Sequence, residues 1–203
     1  MMPVSMKTIR WLPLAAMLAA TLAFAQEAPD ALVKRVSQDV LAIAKSDPKV
    51  QAGDQARIHE VIDGKLAPHF DFTRMTALAM GRNWRNATPA QQKELTEQFK
   101  QLLVRTYSGA LSRYRDEKIE YKPLAVAPSA TDVTVKTLVV KAGGGSPVPI
   151  DYSLTKTPEG WKAYDVIVGG VSLVTNYRDE FNEQIKSGGV DGLIATLKTK
   201  NGG

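Results

Sequence analysis

The chain has 203 residues, 44% of them hydrophobic, with no cysteine and a formal net charge of +5. That length suits one domain with a substantial core and is short for two. The missing cysteine excludes disulfide scaffolds, thiolate nucleophiles and thiolate metal ligands. The basicity is mild and spread out, unlike the concentrated stripe of a nucleic-acid binder, and it suits a protein that meets anionic head groups.

The chain opens MMPVSMKTIRWLPLAAMLAATLAFAQEAPD, where Lys7 and Arg10 precede an apolar run from Trp11 to Ala23 that closes on Ala23-Phe24-Ala25. This is the pattern of a secretory signal peptide. The run is too short to span a bilayer, and polar Gln26, Glu27 and Asp30 follow at once. We therefore expect export to a Gram-negative periplasm with cleavage after Ala25, and a single mature domain over residues 26–203. No cysteine stands at the cleavage point, so a lipoprotein anchor is not expected.

Helical spacing starts at Pro29 and Asp30, with Leu32, Val33, Val36, Val40, Leu41 and Ala44 on one stripe, and ends at Ser46-Asp47-Pro48. A second helix is expected from about Asp54, with Ile58, Val61, Ile62 and Leu66 on one face, up to Pro68. A short third one, DFTRMTALAMG, carries Phe72, Met75 and Leu78 and stops at Gly81. Thr88-Pro89-Ala90-Gln91 then reads as a capping box with proline at the first helical position. It opens a long helix whose stripe includes Leu95, Phe99, Leu102, Leu103, Tyr107, Leu111 and Tyr114.

Beyond Asp116 the period changes to two. KIEYKPLAV, DVTVKTLVVKA, PVPIDYSLT and WKAYDVIVGGVSLV read as four strands. The connections between them are short, which implies antiparallel neighbours in a meander. Helical spacing returns over Tyr177 to Lys186 and again over Asp191 to Lys200, divided by Gly188 and Gly189. The class is α+β, with helices packed on a curled four-stranded antiparallel sheet.

Catalytic chemistry is sparse. His59 and His69 fall on different predicted elements, near Asp63 and Asp71, and match no HExxH-type ligand spacing. Ser108 sits mid-helix without a G-x-S-x-G elbow. Gly143-Gly144-Gly145-Ser146 joins two strands and opens no helix, so it reads as a hairpin loop. Gly169-Gly170 interrupts the last strand and reads as a bend that curves the sheet, shapes a cavity, or both.

The strip YDVIVGGVSLV, residues 164–174, is apolar on both alternating faces. A central strand covered on both sides has this pattern, and so has the wall of an apolar ligand cavity. Periodicity does not separate the two.

TPAQQKELTEQFKQLLVRTYSGALSRY, WKAYDVIVGGVSLVTNYRDEF and GGVDGLIATLK together resemble the MlaC family, also known as the toluene-tolerance auxiliary family. The resemblance runs from about Asp30 to Lys200. It implies an NTF2-like or cystatin-like fold in which the sheet and its helices enclose an apolar cavity for acyl chains. It further implies a monomeric periplasmic phospholipid carrier, with no cofactor beyond the lipid as cargo. Its partners would be an outer-membrane lipoprotein and porin complex and an inner-membrane ABC transporter bearing a ring of MCE domains. The lining candidates on that resemblance are Leu103, Tyr107, Leu111, Tyr152, Val166, Val168 and Val171. Arg82, Arg85 and Arg113 are candidates for the head-group side. Two other readings compete. One is an envelope adaptor with a filled core; the other is a periplasmic hydrolase using His59 or His69, which double alanine substitution would abolish.

Overall fold

The computed structural model of the chain describes residues 26–110 and 116–202. The expected signal peptide and the candidates Leu111 and Arg113 lie outside the described residues.

Helix α1, Pro29–Ser46, buries Leu32, Val33, Val36, Val40 and Ala44, as its spacing predicts. Asp47 ends it and caps the next turn, α2 (Pro48–Gln51), by accepting from the backbone N–H groups of Lys49 and Val50. The expected second helix is shorter than its apolar pattern. Helix α3 covers Gln55–Val61, then widens into a π turn over Ile62–Leu66 and tightens into a 3-10 turn over Ala67–His69. Pro68 has no N–H to donate and its ring collides with the preceding turn, so regular α-helix cannot continue through it.

Asp71 caps α4 (Phe72–Met80) by accepting from Arg74 N–H at 2.8 Å. A 3-10 segment, Gly81–Asn86, links α4 to α5, Pro89–Tyr107. The capping box of α5 is formed: Gln91 N–H donates to Thr88 Oγ1, and Thr88 N–H donates to Gln91 Oε1 at 2.9 Å.

The sheet has five strands, not four, in the order β1-β2-β3-β4-β5. They are β1 (Lys118–Tyr121), β2 (Asp132–Val140), β3 (Val148–Thr157), β4 (Gly160–Val168) and β5 (Val171–Ser172), all paired antiparallel. The difference lies at Gly169-Gly170. Their φ values of 59° and 86° let them turn the chain through a two-residue hairpin, so Val171 pairs back on Val168. What the sequence presents as one bent strand is therefore two strands. β1 is shorter than KIEYKPLAV because Pro123 offers no ladder donor. The last helix, α6, spans Leu173–Asn201 with a break at Gly189, whose φ of 68° and ψ of −171° fit no helix. The expected division at Gly188 and Gly189 is thus a kink.

The interior falls into three apolar clusters. α4, α5 and α6 pack around Phe99, whose ring meets Tyr177 and Phe181 edge-on at centroid distances of 5.1 and 5.0 Å. α1 packs on one face of the sheet through Leu32, Val33 and Val36 against Val135, Leu154, Trp161 and Ala163. The end of α1 and the 50–62 region close on Val104 of α5. The clusters meet through half-buried side chains: Leu66 touches the second and third, Phe70 the first and second. A domain of this size more often builds one continuous core.

Candidate functional site

Directly paired residues in neighbouring antiparallel strands point to the same face. One row therefore crosses all five strands: Tyr121, Thr137, Ile150, Val168 and Val171. A parallel row on the same face holds Val135, Tyr152 and Val166. A register shift between Ser153 and Leu154 offsets β3 from β4 just beyond this row.

This face changes character from β2 towards β5. On the β2 side Val135 and Thr137 are 0% and 2% exposed, and Leu154 of β3 is 1% exposed, with Val135 and Leu154 packed beneath α1. Towards β5, Ile150, Tyr152 and Val166 are half-buried, Val168 is 38% exposed and Val171 is 58% exposed. The same apolar surface thus runs from filled core to open wall. Four of the candidates, Tyr152, Val166, Val168 and Val171, are brought together on it.

Tyr152 combines two properties. Its side chain is partly accessible, yet burial, with Tyr121 as a lesser cause, pushes its phenol up to about 12. The neighbouring Tyr121 hydroxyl is held by Ser37 Oγ of α1 at 2.7 Å. Among the described residues, the Tyr152 hydroxyl has no hydrogen-bond partner.

The helical candidates stand elsewhere. Leu103 is buried in the α4-α5-α6 cluster. Tyr107, at the end of α5, is 40% exposed; its phenol is raised by burial and, to a lesser degree, by the neighbouring Tyr177. α5 packs chiefly on α4 and α6, so these two residues adjoin the helical core and not the strand rows. Sequence reading missed Ile150 and Tyr121. Their signal was present in the alternation of PVPIDYSLT and KIEY, but only the register places them beside Val168 and Tyr152.

Arg82 and Arg85, both exposed, line a different feature. It is a groove of about 1300 Å³ between the 81–86 segment and α6, where Arg178 and Lys186 join them. Nothing in the sequence pattern ties Arg178 to Arg82, since the two come from separate elements. His59 is exposed on α3 and His69 is half-buried on the turn before α4. Among the described residues no group of three or more His, Asp or Glu side chains is placed to hold a metal, and no helix is long and apolar enough to cross a membrane.

Residues 34–199 match the family model described as MlaC protein. The chain belongs to the MlaC family. Among curated MlaC relatives, it is 26% identical over 171 residues to the toluene tolerance protein ttg2D of Pseudomonas putida, covering 84% of this chain and 79% of that one. It is 19% identical over 193 residues to the intermembrane phospholipid transport system binding protein MlaC of Haemophilus influenzae, covering 94% and 90%. A solved phospholipid-binding protein from Ralstonia solanacearum, in complex with a phospholipid, superposes with a TM-score of 0.80 at 42% identity. That alignment covers 85% of this chain and 96% of the other.

Proposed function

We propose that this chain is a periplasmic phospholipid carrier that is not an enzyme and holds acyl chains against the open end of its sheet. The observation that carries the reading is the 42% identity, over 85% of this chain, with a protein solved in complex with a phospholipid. The graded apolar face supports it, because the exposed valines at its end, Val168 and Val171, offer a surface an acyl chain can cover. In this reading Tyr152, Val166, Val168 and Val171 line the wall, and Leu103, Tyr107 and Leu111 are lining candidates on the family resemblance. The family resemblance adds that the sheet and its helices enclose an NTF2-like cavity for the acyl chains.

Energetics limits how such a carrier works. A two-chain lipid brings roughly 30 methylenes at about 0.8 kcal/mol each, so passage through water is prohibitive and the wall must replace the bilayer contact for contact. Transfer is then close to neutral, and net direction comes from the membrane complexes. On the family resemblance these are an outer-membrane lipoprotein and porin complex and an inner-membrane ABC transporter with an MCE-domain ring. Export with cleavage after Ala25 and a single domain over residues 26–203 belong to the same reading.

Native mass spectrometry of the exported protein, purified without detergent and followed by solvent extraction, tests the proposal. A stoichiometric phospholipid adduct is expected. A bare mass that persists after incubation with phospholipid vesicles would overturn it.

A further inference from the structure

The groove between the 81–86 segment and α6 shares no lining residue with the strand rows, so lipid holding leaves it without a task. We propose that this groove docks an acidic, amphipathic segment of a partner protein. That the partner exchanges cargo rests on the carrier reading; the docking chemistry does not.

Arg82 and Arg85 stand three apart on a 3-10 segment, where residues at that spacing lie on the same side. Both are exposed, and among the described residues neither forms an ion pair. Across the groove, Arg178 donates from Nε to the Leu78 carbonyl at 3.1 Å, which holds its guanidinium in place. Its remaining nitrogens have no carboxylate partner among the described residues. Lys186 is paired with Glu183 at 2.6 Å, and Asp179 is the other acid in the lining. Four cations against two carboxylates leave the groove positive, with three guanidiniums suited to bidentate carboxylate contacts.

The floor is apolar and fixed. Leu78 and Ile185 are half-buried there, and a hydrogen bond of 2.9 Å from Asn83 to Asn182 ties the short segment to α6. A flat bilayer surface presents head groups to ridges and cannot enter a concavity. An amphipathic protein segment can, laying its apolar side on Leu78 and Ile185 and its carboxylates on the arginines.

The test uses the full chain purified after export and a fluorescent synthetic helix with leucine on one face and glutamate on the other, read by anisotropy. Binding is expected, weakened by added salt, and absent when lysine replaces glutamate in the peptide. The double variant Arg82→Glu/Arg85→Glu should lose affinity by about tenfold or more while keeping the wild-type circular dichroism and melt. Equal binding by variant and wild type would overturn the proposal. So would arginine-dependent binding to phosphatidylglycerol vesicles without peptide binding, which would make the groove a membrane contact. The phospholipid adduct mass of the variant should be unchanged; its loss would assign the arginines to the lipid head group instead. If the wild type itself carries no phospholipid, the carrier reading falls while the peptide result still decides the docking.

Discussion

Ser172 donates its hydroxyl to Oδ2 of Asp165 at 2.6 Å, across the hairpin that turns at Gly169-Gly170. The other oxygen of the same carboxylate accepts from Val174 N–H at 3.2 Å, and Ser172 Oγ in turn accepts from Thr175 N–H at 3.0 Å. One half-buried acid thus fixes β5 against β4 and satisfies Val174 N–H in the first turn of α6. Because β4 and β5 carry Val168 and Val171, this contact also sets where the exposed end of the apolar row stands.

Replacing Asp165 with alanine should remove both bonds and strand their donors, at a cost of about 1–3 kcal/mol. Equilibrium denaturation in urea measures it. A change within the error of the fit would mean that the hairpin is held by its turn alone.

Val171→Glu places a charge on a side chain that is 58% exposed, where the fold tolerates it. Against acyl chains the same charge would be costly. We expect a melt close to wild type with a reduced phospholipid adduct in native mass spectrometry. An undiminished adduct would remove Val171 from the lipid wall, and collapse of the fold would make it ordinary core.

The strands, the capping box of α5 and the stripe of α1 were legible because each is a local pattern written over consecutive residues. The hairpin was missed: two glycines between valines are a turn signal, but inside a long apolar strip they read as a bend in one strand. The stop of the 54–68 helix was marked by Pro68, but nothing in its apolar spacing marked the earlier widening into a π turn at Ile62. What sequence could not give were long-range placements. Ile150 beside Val168 depends on register, and Arg178 facing Arg82 depends on how α6 returns to α4.

His69 offers a pH test of the turn that leads from α3 into α4. Burial, first, and then the charges of Arg35 and Lys162 lower its pKa from the ordinary 6.5, against an opposing pull from Glu27. The unfolded chain therefore takes up the proton before the folded one does. The associated stability is fully present above pH 6.5 and is lost as pH falls through the depressed folded value. His69→Gln should flatten the stability profile in that window. The carboxyl of Glu27, itself lowered from 4.5 mainly by its hydrogen bond with Arg35, titrates below it. An identical slope in variant and wild type between pH 7 and pH 5 would exclude His69 as the source.

Cargo and fold should be coupled. If acyl chains complete the half-buried wall of Ile150, Tyr152 and Val166, removing them returns apolar surface to water, and the loaded state gains stability by mass action. Loaded protein should melt several degrees above delipidated protein, on the order of a few kcal/mol at saturating lipid. Re-addition of phospholipid should restore the difference. Equal melts would mean that the wall is closed by the protein's own side chains when empty. In that case its open end would be an exposed surface without a cargo to cover it.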